Sequence, residues 1–269
     1  AGGGDRPSEA LGAGVVEPGS VNIGTGTGSS VTTPLSSLNI DRKGQIDCCC
    51  HVFPETWEYE IGIMTTGASL KWFRDNFAQI EVEKSKSSGV DAYVYLDDLA
   101  EGVEPGCGGL FYYPYLMGAK APKFNNLARG VFFGMAMGHK KAHFVRAILE
   151  GVAFQYAGVF ELLKDRHVDV KQVTMVGGET KSDLWNRIKT DVVGRRIKIP
   201  EVEDAAALGS AMLAGLGAKV YKNVKEAVGR AVRYRKVYEP DGEHVRRYGT
   251  LYKKYELIYS LIKKGFEVA

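Results

Sequence analysis

Residues 172–193 have the sequence QVTMVGGETKSDLWNRIKTDVV, and this stretch decides the fold class. The β-branched and apolar residues at 172–176 predict a buried strand, Gly177-Gly178 predicts a tight turn, and the apolar spacing at 182–193 predicts a helix. A predicted strand at 197–200 and a predicted helix at 204–217 follow. The succession strand, glycine turn, helix, strand, helix is typical of an α/β sheet with helices packed on it.

The remaining segments extend this pattern. The longest amphipathic segment, 142–164, carries apolar residues at helical spacing and predicts a helix that faces a core. Residues 84–88 are polar and predict a loop. We expect one α/β domain, a mixed sheet flanked by helices, with an all-helical end. The other predicted elements are strands at 20–23, 30–33, 46–53, 57–61, 110–116 and 130–135, and helices at 10–16, 68–77, 92–99, 224–232 and 244–264.

Composition limits the class of function. The 269 residues are 45% hydrophobic and 25% charged, which is ordinary for a folded domain, and the net charge of +3 leaves no basic footprint for nucleic acid. We find no apolar run of membrane-spanning length and no signal-peptide pattern, so no membrane association is expected. Cys48 to Cys50 and Cys107 lack the CxxC spacing of a zinc site. We therefore expect these cysteines to be packing residues in a reduced, cytoplasmic protein.

The first candidate binding segment is Gly24-Thr25-Gly26-Thr27-Gly28. Glycines let backbone N–H groups surround an anion, and threonine hydroxyls add donors, so the segment suits a phosphate. It is not a P-loop, because no Lys-Ser or Lys-Thr follows. It is not a dinucleotide fingerprint either, because no helix clearly follows, and a dinucleotide-binding oxidoreductase is therefore a distant alternative. A glycine-rich hairpin turn explains the same residues.

The second candidate is Gly177-Gly178-Glu179, which leads into Ser182 between a predicted strand and a predicted helix. In open α/β sheets ligands bind at the carboxyl ends of strands, and the N-terminus of a helix favours an anion. A tight turn in which Ser182 caps an ordinary helix is the alternative.

The third candidate is Asp5, which follows Gly2-Gly3-Gly4 at a predicted helix start. The helix dipole stabilises the ionised form of a carboxylate at this position. That form accepts the proton of a hydroxyl group during phosphoryl transfer. The alternative is a simple N-capping aspartate.

Other conspicuous residues favour structural roles. His139 and His143 have the spacing of a metal pair, but no third ligand follows, so no metal site is predicted. Because Glu150 lies among apolar neighbours, we expect it to be a buried structural acid. The tyrosines of the last predicted helix have the spacing of packing residues: Tyr248, Tyr252 and Tyr255.

Taken in their order along the chain, these segments resemble the FGGY carbohydrate kinases, and among them the xylulokinases most closely. Residues 130–135 and 143–150, GVFFGM and HFVRAILE, are similar to the second family signature. Residues 2–5, 11–19 and 24–26 are similar to the catalytic-acid and phosphate segment. Residues 66–75, TGASLKWFRD, resemble the next nucleotide-contacting stretch, and residues 177–182 resemble the adenosine turn. The resemblance extends to about Val220.

The resemblance implies an actin-like ATPase (ribonuclease H-like) fold, in which two domains close over a cleft. Residues 1–269 resemble the C-terminal nucleotide-binding domain, with the N-terminal sugar-binding domain absent. ATP and Mg²⁺ are the implied cofactors, with the remaining magnesium contacts in the N-terminal domain. A sugar, with D-xylulose as the first guess, is the implied substrate, and Asp5 is the implied general base. The implied nucleotide contacts are Gly24, Thr25, Gly26, Gly67, Lys71, Gly177, Gly178, Glu179 and Ser182.

Two segments depart from the family pattern. Arg6-Pro7 follows Asp5 where the family commonly has Gln or Asn, and an arginine there is able to pair with Asp5 and lower its basicity. Residues 118–122, GAKAP, stand where xylulokinases often carry GERTP, which weakens the assignment of the sugar. The alternatives are a kinase for another sugar or polyol such as glycerol, and a non-catalytic nucleotide-binding module. We expect the isolated chain to bind ATP weakly and to phosphorylate nothing. The sequence does not determine whether the chain forms a homodimer.

Overall fold

The computed structural model describes residues 2–268 and is built around one long mixed sheet. The strands are β1 (Ser20–Thr25), β2 (Ser29–Leu35), β3 (Asp47–Cys50), β4 (Trp57–Ile63), β5 (Phe111–Tyr113), β6 (Val131–Phe133), β7 (Gln172–Gly177), β8 (Ile197–Pro200) and β9 (Tyr234–Tyr238). The helices are α1 (Asp5–Gly12), α2 (Gly67–Phe77), α3 (Gln79–Ser88), α4 (Ala92–Glu101), α5 (Lys141–Lys164), α6 (Asp183–Val193), α7 (Ala205–Gly217), α8 (Val224–Ala231) and α9 (Gly242–Ile262).

The main sheet of the described residues has seven strands in the order β3-β4-β2-β1-β7-β8-β9. The first four pair antiparallel, with β4 between β2 and the edge strand β3. Strands β1, β7 and β8 run parallel to one another, and β9 returns antiparallel to β8. The parallel pairing needs crossovers, which α5 and α6 provide. The predicted class, a mixed sheet flanked by helices, is confirmed.

Helices cover both faces of the sheet, which is why β1 and β2 are buried along nearly their whole length. Val21, Ile23 and Met175 belong to the main core, together with Ile148 and Val152 of α5. Helices α1 and α7 cover the opposite face, where a smaller apolar cluster contains Ala10, Ala13, Val15, Val176 and Ala205. Asp5 is the first residue of α1, so its position depends on this second layer.

Two predictions about secondary structure were wrong, and a third was right in type but too long. Residues 84–88 are not a loop but the end of α3, whose last turn is closed by Gly89 in the left-handed conformation. The end of the chain is not all helical, because β9 pairs with β8 between α8 and α9. The aromatic stretches at 110–116 and 130–135 form only a short separate hairpin, β5 with β6. In each case tertiary packing overrides a weak local pattern.

Candidate functional site

The two glycine segments lie side by side because β1 and β7 are parallel neighbours. Thr25 is in register with Gly177, so the first glycine turn (residues 24–28) and the second glycine turn (residues 177–179) leave the same edge of the sheet. The Thr25 hydroxyl joins them: it donates to the carbonyl oxygen of Val176 at 2.7 Å and accepts from the backbone N–H of Glu179 at 3.3 Å. One threonine therefore holds the ends of both strands in register.

The first glycine turn is a hairpin turn that also forms part of a cavity wall. Gly26 donates its N–H to the carbonyl oxygen of Gly28 at 2.9 Å, and β1 and β2 pair around it. The start of α2 rests on this turn, since Gly67 donates to the carbonyl oxygen of Gly26 at 3.1 Å. A Cβ at Gly67 would lie 2.4 Å from that oxygen, which explains glycine at this position. The hairpin alternative and the binding hypothesis therefore describe the same turn.

The second glycine turn connects β7 to α6 through a single 3₁₀ turn at Gly178–Lys181. Gly177 has φ of 94°, a conformation that favours glycine. Ser182 caps α6, because its hydroxyl accepts the backbone N–H of Trp185 at 3.0 Å. The capping alternative is thus correct for the Ser182 side chain, which nevertheless borders the cavity.

A cavity of about 520 Å³ opens between the two glycine turns and the α2 and α4 helices. Six predicted nucleotide contacts line it: Gly26, Gly67, Lys71, Gly178, Glu179 and Ser182. The other three, Gly24, Thr25 and Gly177, are not among the residues that line this cavity in the described part of the chain, and Gly177 lines a neighbouring cavity together with Gly178 and Lys181. The remaining lining residues are Thr27, Ala68, Leu70, Asp91, Tyr93, Val94, Asp97, Lys181 and Trp185.

Sequence reasoning did not predict that α4 lines the cavity, because the amphipathic pattern of a helix does not show which residues its polar face contacts. Asp97 lies on that helix, and burial raises the pKa of its carboxyl group to about 6. Within residues 2–268, its Oδ1 atom is buried without a hydrogen-bond partner. Asp91 caps the same helix by accepting the N–H of Tyr93 at 3.0 Å.

Glu179 brings a second unsatisfied acceptor to the cavity. Its Oε2 atom accepts from the Lys189 ammonium group at 2.6 Å, and burial lowers the pKa of that fully buried lysine. Its Oε1 atom is buried and finds no partner in the described part of the chain. An unpaired buried acceptor is costly, so a ligand that donates a hydrogen bond there would be stabilised.

The lining therefore fits a ligand of mixed chemistry. Leu70, Val94 and Trp185 provide apolar surface for a planar ring, and the free carboxylate oxygens suit hydroxyl or amino donors. Next to Gly178 a Cβ would find no atom within 4 Å, so backbone is open to the ligand there. Lys71 and Lys181 add positive charge at the rim, where Lys71 also pairs with Asp75 at 2.7 Å. A nucleotide matches this lining, because it combines a planar ring, hydroxyl and amino donors, and negative charge.

Asp5 lies outside the cavity lining, exposed at the N-terminus of α1. It is not the N-cap, because Gly4 holds that position, and its Oδ1 atom accepts the N–H of Arg6 at 2.9 Å. The expected pairing of the Arg6 guanidinium with Asp5 is wrong: the ion pairs of that guanidinium are with Glu9 at 3.5 Å and Glu60 at 3.8 Å. Nothing in the Arg6 side chain therefore neutralises Asp5.

Glu9 is a second acid on α1 that the sequence patterns did not single out. It lies one helical turn after Asp5 and accepts from the Asn22 amide at 2.8 Å. It also packs on the first glycine turn, since a Cβ at Gly24 would lie 2.2 Å from its Oε1 atom. Burial raises the pKa of Glu9. Helix α1 thus runs along the strand that leads into the first glycine turn.

The buried acid and the packing tyrosines predicted from the sequence are found in the core. Glu150 is buried and pairs with Arg146 at 2.9 Å, and Tyr248 and Tyr255 are core residues. The rings of His139 and His143 lie 5.3 Å apart, and residues 2–268 contain no group of three or more His, Cys, Asp or Glu side chains able to hold a metal ion. All four cysteines are free. No described helix combines the length and apolar character needed to cross a membrane.

Comparison with known proteins gives a consistent result. Residues 19–218 match the model of the FGGY family of carbohydrate kinases, C-terminal domain. The xylulose kinase of Bacillus subtilis is 31% identical over 98% of this chain and 51% of its own length, and the gluconokinase of that organism is 33% identical over 76% and 40%. The chain spans about half the length of the curated relatives it matches.

Solved structures agree with this match. The crystal structure of xylulose kinase from Rhodospirillum rubrum superposes with a TM-score of 0.88 at 26% identity, covering 99% of this chain and 52% of that one. A gluconate kinase from Lactobacillus acidophilus shares the fold, with a TM-score of 0.81. The actin-like ATPase class expected from the sequence resemblance is confirmed by these neighbours.

Proposed function

The chain belongs to the FGGY family of carbohydrate kinases, and we propose that it is the nucleotide-binding half of an ATP-dependent sugar kinase. One observation carries the proposal: both glycine turns leave the same sheet edge and line a single cavity of nucleotide size. Open α/β sheets bind ligands at such an edge. A non-catalytic module of the same fold is the alternative. The Arg6 guanidinium pairs with Glu9 and Glu60 and not with Asp5, so Asp5 stays available as a base, which counts against that alternative.

In this proposal the cavity holds ATP with its base on the apolar surface of α2, α4 and Trp185. The carboxylate oxygens of Glu179 and Asp97 accept hydrogen bonds from the nucleoside. The backbone at Gly26 and Gly178 and the charges of Lys71 and Lys181 accommodate the phosphates. Thr25 joins the two turns through its hydroxyl group, and Gly24 and Gly177 belong to the paired strand ends. Bound with magnesium, ATP supplies the phosphoryl group that is transferred.

Asp5 is the proposed general base. It stands in the first turn of α1, and its side chain is exposed to solvent. The carboxylate removes the proton of the sugar hydroxyl as the oxygen attacks phosphorus. Replacing Asp5 by Asn keeps the shape and removes the base, so the rate of transfer should fall about 100- to 10,000-fold.

We assign the sugar and the remaining magnesium contacts to an N-terminal domain, as the family resemblance implies. The substrate is proposed to be a pentulose such as D-xylulose, and gluconate and glycerol are the next candidates because relatives with those names match this chain. The cytoplasm remains the predicted location.

The test compares the chain by itself with the chain joined to its N-terminal domain. The chain alone should bind Mg·ATP weakly in an equilibrium titration and should not phosphorylate D-xylulose, gluconate or glycerol. The two-domain protein should phosphorylate one of them, and Asp5→Asn should abolish transfer without weakening ATP binding. Rapid sugar phosphorylation by the 269 residues alone would contradict this division of labour. ATP binding by the two-domain protein without transfer to any sugar would favour the non-catalytic module.

A further inference from the structure

Resting on the proposed function, we propose that Tyr156 is a positioning residue that sets the spacing between the two glycine turns. Tyr156 lies in the middle of α5 and is completely buried. Its hydroxyl oxygen is 2.8 Å from the Ser29 hydroxyl and 3.3 Å from Oε2 of Glu179. Ser29 directly follows the first glycine turn, and Glu179 ends the second. A single phenol group therefore contacts the second turn directly and the first turn through the residue that follows it.

The contact extends to a third loop. The Ser29 hydroxyl is also 2.8 Å from the hydroxyl of Thr66, the N-cap residue of α2. Thr66 precedes Gly67, which rests on the first glycine turn and lines the cavity. The buried polar chain Thr66–Ser29–Tyr156–Glu179 thus connects three loops that surround the cavity to the centre of one long helix.

The direction of these hydrogen bonds follows from the carboxylate at one end. Glu179 accepts, so the Tyr156 hydroxyl donates to it, and Ser29 and Thr66 donate in turn along the chain. The phenol keeps its proton, because burial and the neighbouring Glu179 raise the pKa of Tyr156 well above its usual value. A chain of hydrogen bonds that all run in one direction is mutually reinforcing. It therefore fixes the relative positions of the groups it joins.

Tyr156 acts through other residues, because it is not among the residues that line the cavity in the described chain. Lys189 holds Glu179 from the other side, and Thr25 joins the strand ends beneath. A ligand that contacts both turns, such as ATP, depends on the spacing that Tyr156 sets. Adenosine lacks the phosphates assigned to the backbone at Gly26 and Gly178, so its binding depends less on this spacing.

The test is the change Tyr156→Phe, which removes the hydroxyl and keeps the ring. Affinities for Mg·ATP and for adenosine are measured by equilibrium titration of the chain, alongside its thermal unfolding. ATP binding should weaken about tenfold or more, on the scale of a lost hydrogen bond to a charged group, because the turns that hold the phosphates lose their spacing. Adenosine binding should weaken by a smaller factor, because adenosine has no phosphates to place between the turns. Ser29→Ala interrupts the same chain at the next link and should give the same selective loss.

Tyr113→Phe is the matched control, because Tyr113 is equally buried and its hydroxyl donates to the carbonyl oxygen of Tyr255 at 2.7 Å, outside this chain of hydroxyls. It should leave both affinities unchanged. Equal losses for ATP and adenosine in Tyr156→Phe, or no loss for ATP, would overturn the positioning role alone. Absence of binding by the unaltered chain would overturn the proposed function and this inference with it.

Discussion

The contact between α1 and α7 makes the position of Asp5 sensitive to a single methyl group. A Cβ at Gly12 would lie 1.8 Å from the carbonyl oxygen of Ala205, and a Cβ at Gly209 would lie 1.8 Å from that of Ser8. Both obstacles are backbone atoms, so no side-chain rotation relieves them. To reach an ordinary separation of 3.4 Å, Gly12→Ala must move the helices apart by about 1.6 Å.

The expected cost follows from this geometry. Overpacking costs roughly 1–3 kcal/mol, and a clash with backbone belongs at the upper end of that range. Helix propensity returns up to about 1 kcal/mol on replacing glycine by alanine, so we expect the free energy of unfolding to fall by about 2 kcal/mol. The shift also displaces the N-terminus of α1, and a misplacement of about 1 Å at a catalytic group is able to cost roughly 100-fold in rate.

Urea denaturation of the chain measures the first effect, and sugar phosphorylation by the two-domain protein measures the second. Gly249→Ala in α9 is the matched control, because a Cβ there meets no atom within 4 Å. That change should stabilise the chain by roughly 0.5–1 kcal/mol. If Gly12→Ala proves as stable as Gly249→Ala, the close contact between α1 and α7 does not constrain Asp5 and the reasoning fails.

Two further predictions concern the sheet and the cavity wall. Burial raises the pKa of the Glu58 carboxyl group from 4.5 to about 8. Folding therefore favours the neutral carboxyl group, and its contribution to the free energy of unfolding is fully present below pH 4.5 and is lost as the pH rises through 8. The free energy of unfolding in urea should therefore be lower at pH 8 than at pH 5 by on the order of 3 kcal/mol, and Glu58→Gln should largely remove this difference. Equal pH slopes for the unaltered chain and the variant would contradict the assignment. Gly67→Ala would place a Cβ 2.4 Å from the carbonyl oxygen of Gly26 and should weaken ATP binding about tenfold or more by titration, whereas Gly102→Ala, in open space, should not. Unchanged affinity in Gly67→Ala would exclude the first glycine turn from the site.

Much of the fold could be predicted from sequence because the deciding signals are local. The helix at 142–164 and the strand at 172–176 match α5 and β7 within one residue at each boundary, since apolar periodicity depends on neighbours a few positions apart. Gly67 and Gly177 were predicted as nucleotide contacts, and their steric contacts explain why glycine stands at both positions. Where the local pattern was weak, as at 84–88 and in β9, the packing partner determined the conformation.

The site could be predicted only in part. The motif order indicated two glycine turns and Asp5, and six of the predicted contacts border the cavity. The sequence could not show that Gly24, Thr25 and Gly177 lie outside the lining of this cavity, or that α4 completes the lining with Asp97.

The amino-acid sequence by itself determined the α/β pattern, the glycine turns and the family resemblance, because each depends on residues close together in the chain. Only the tertiary structure decided which of these segments meet. Thr25 joins Val176 across 151 positions and Tyr156 reaches Ser29 across 127, and such contacts arise from parallel strand pairing and helix packing. Local periodicity carries no information about pairing over those separations, since it reports which face of an element is buried and not what is buried against it.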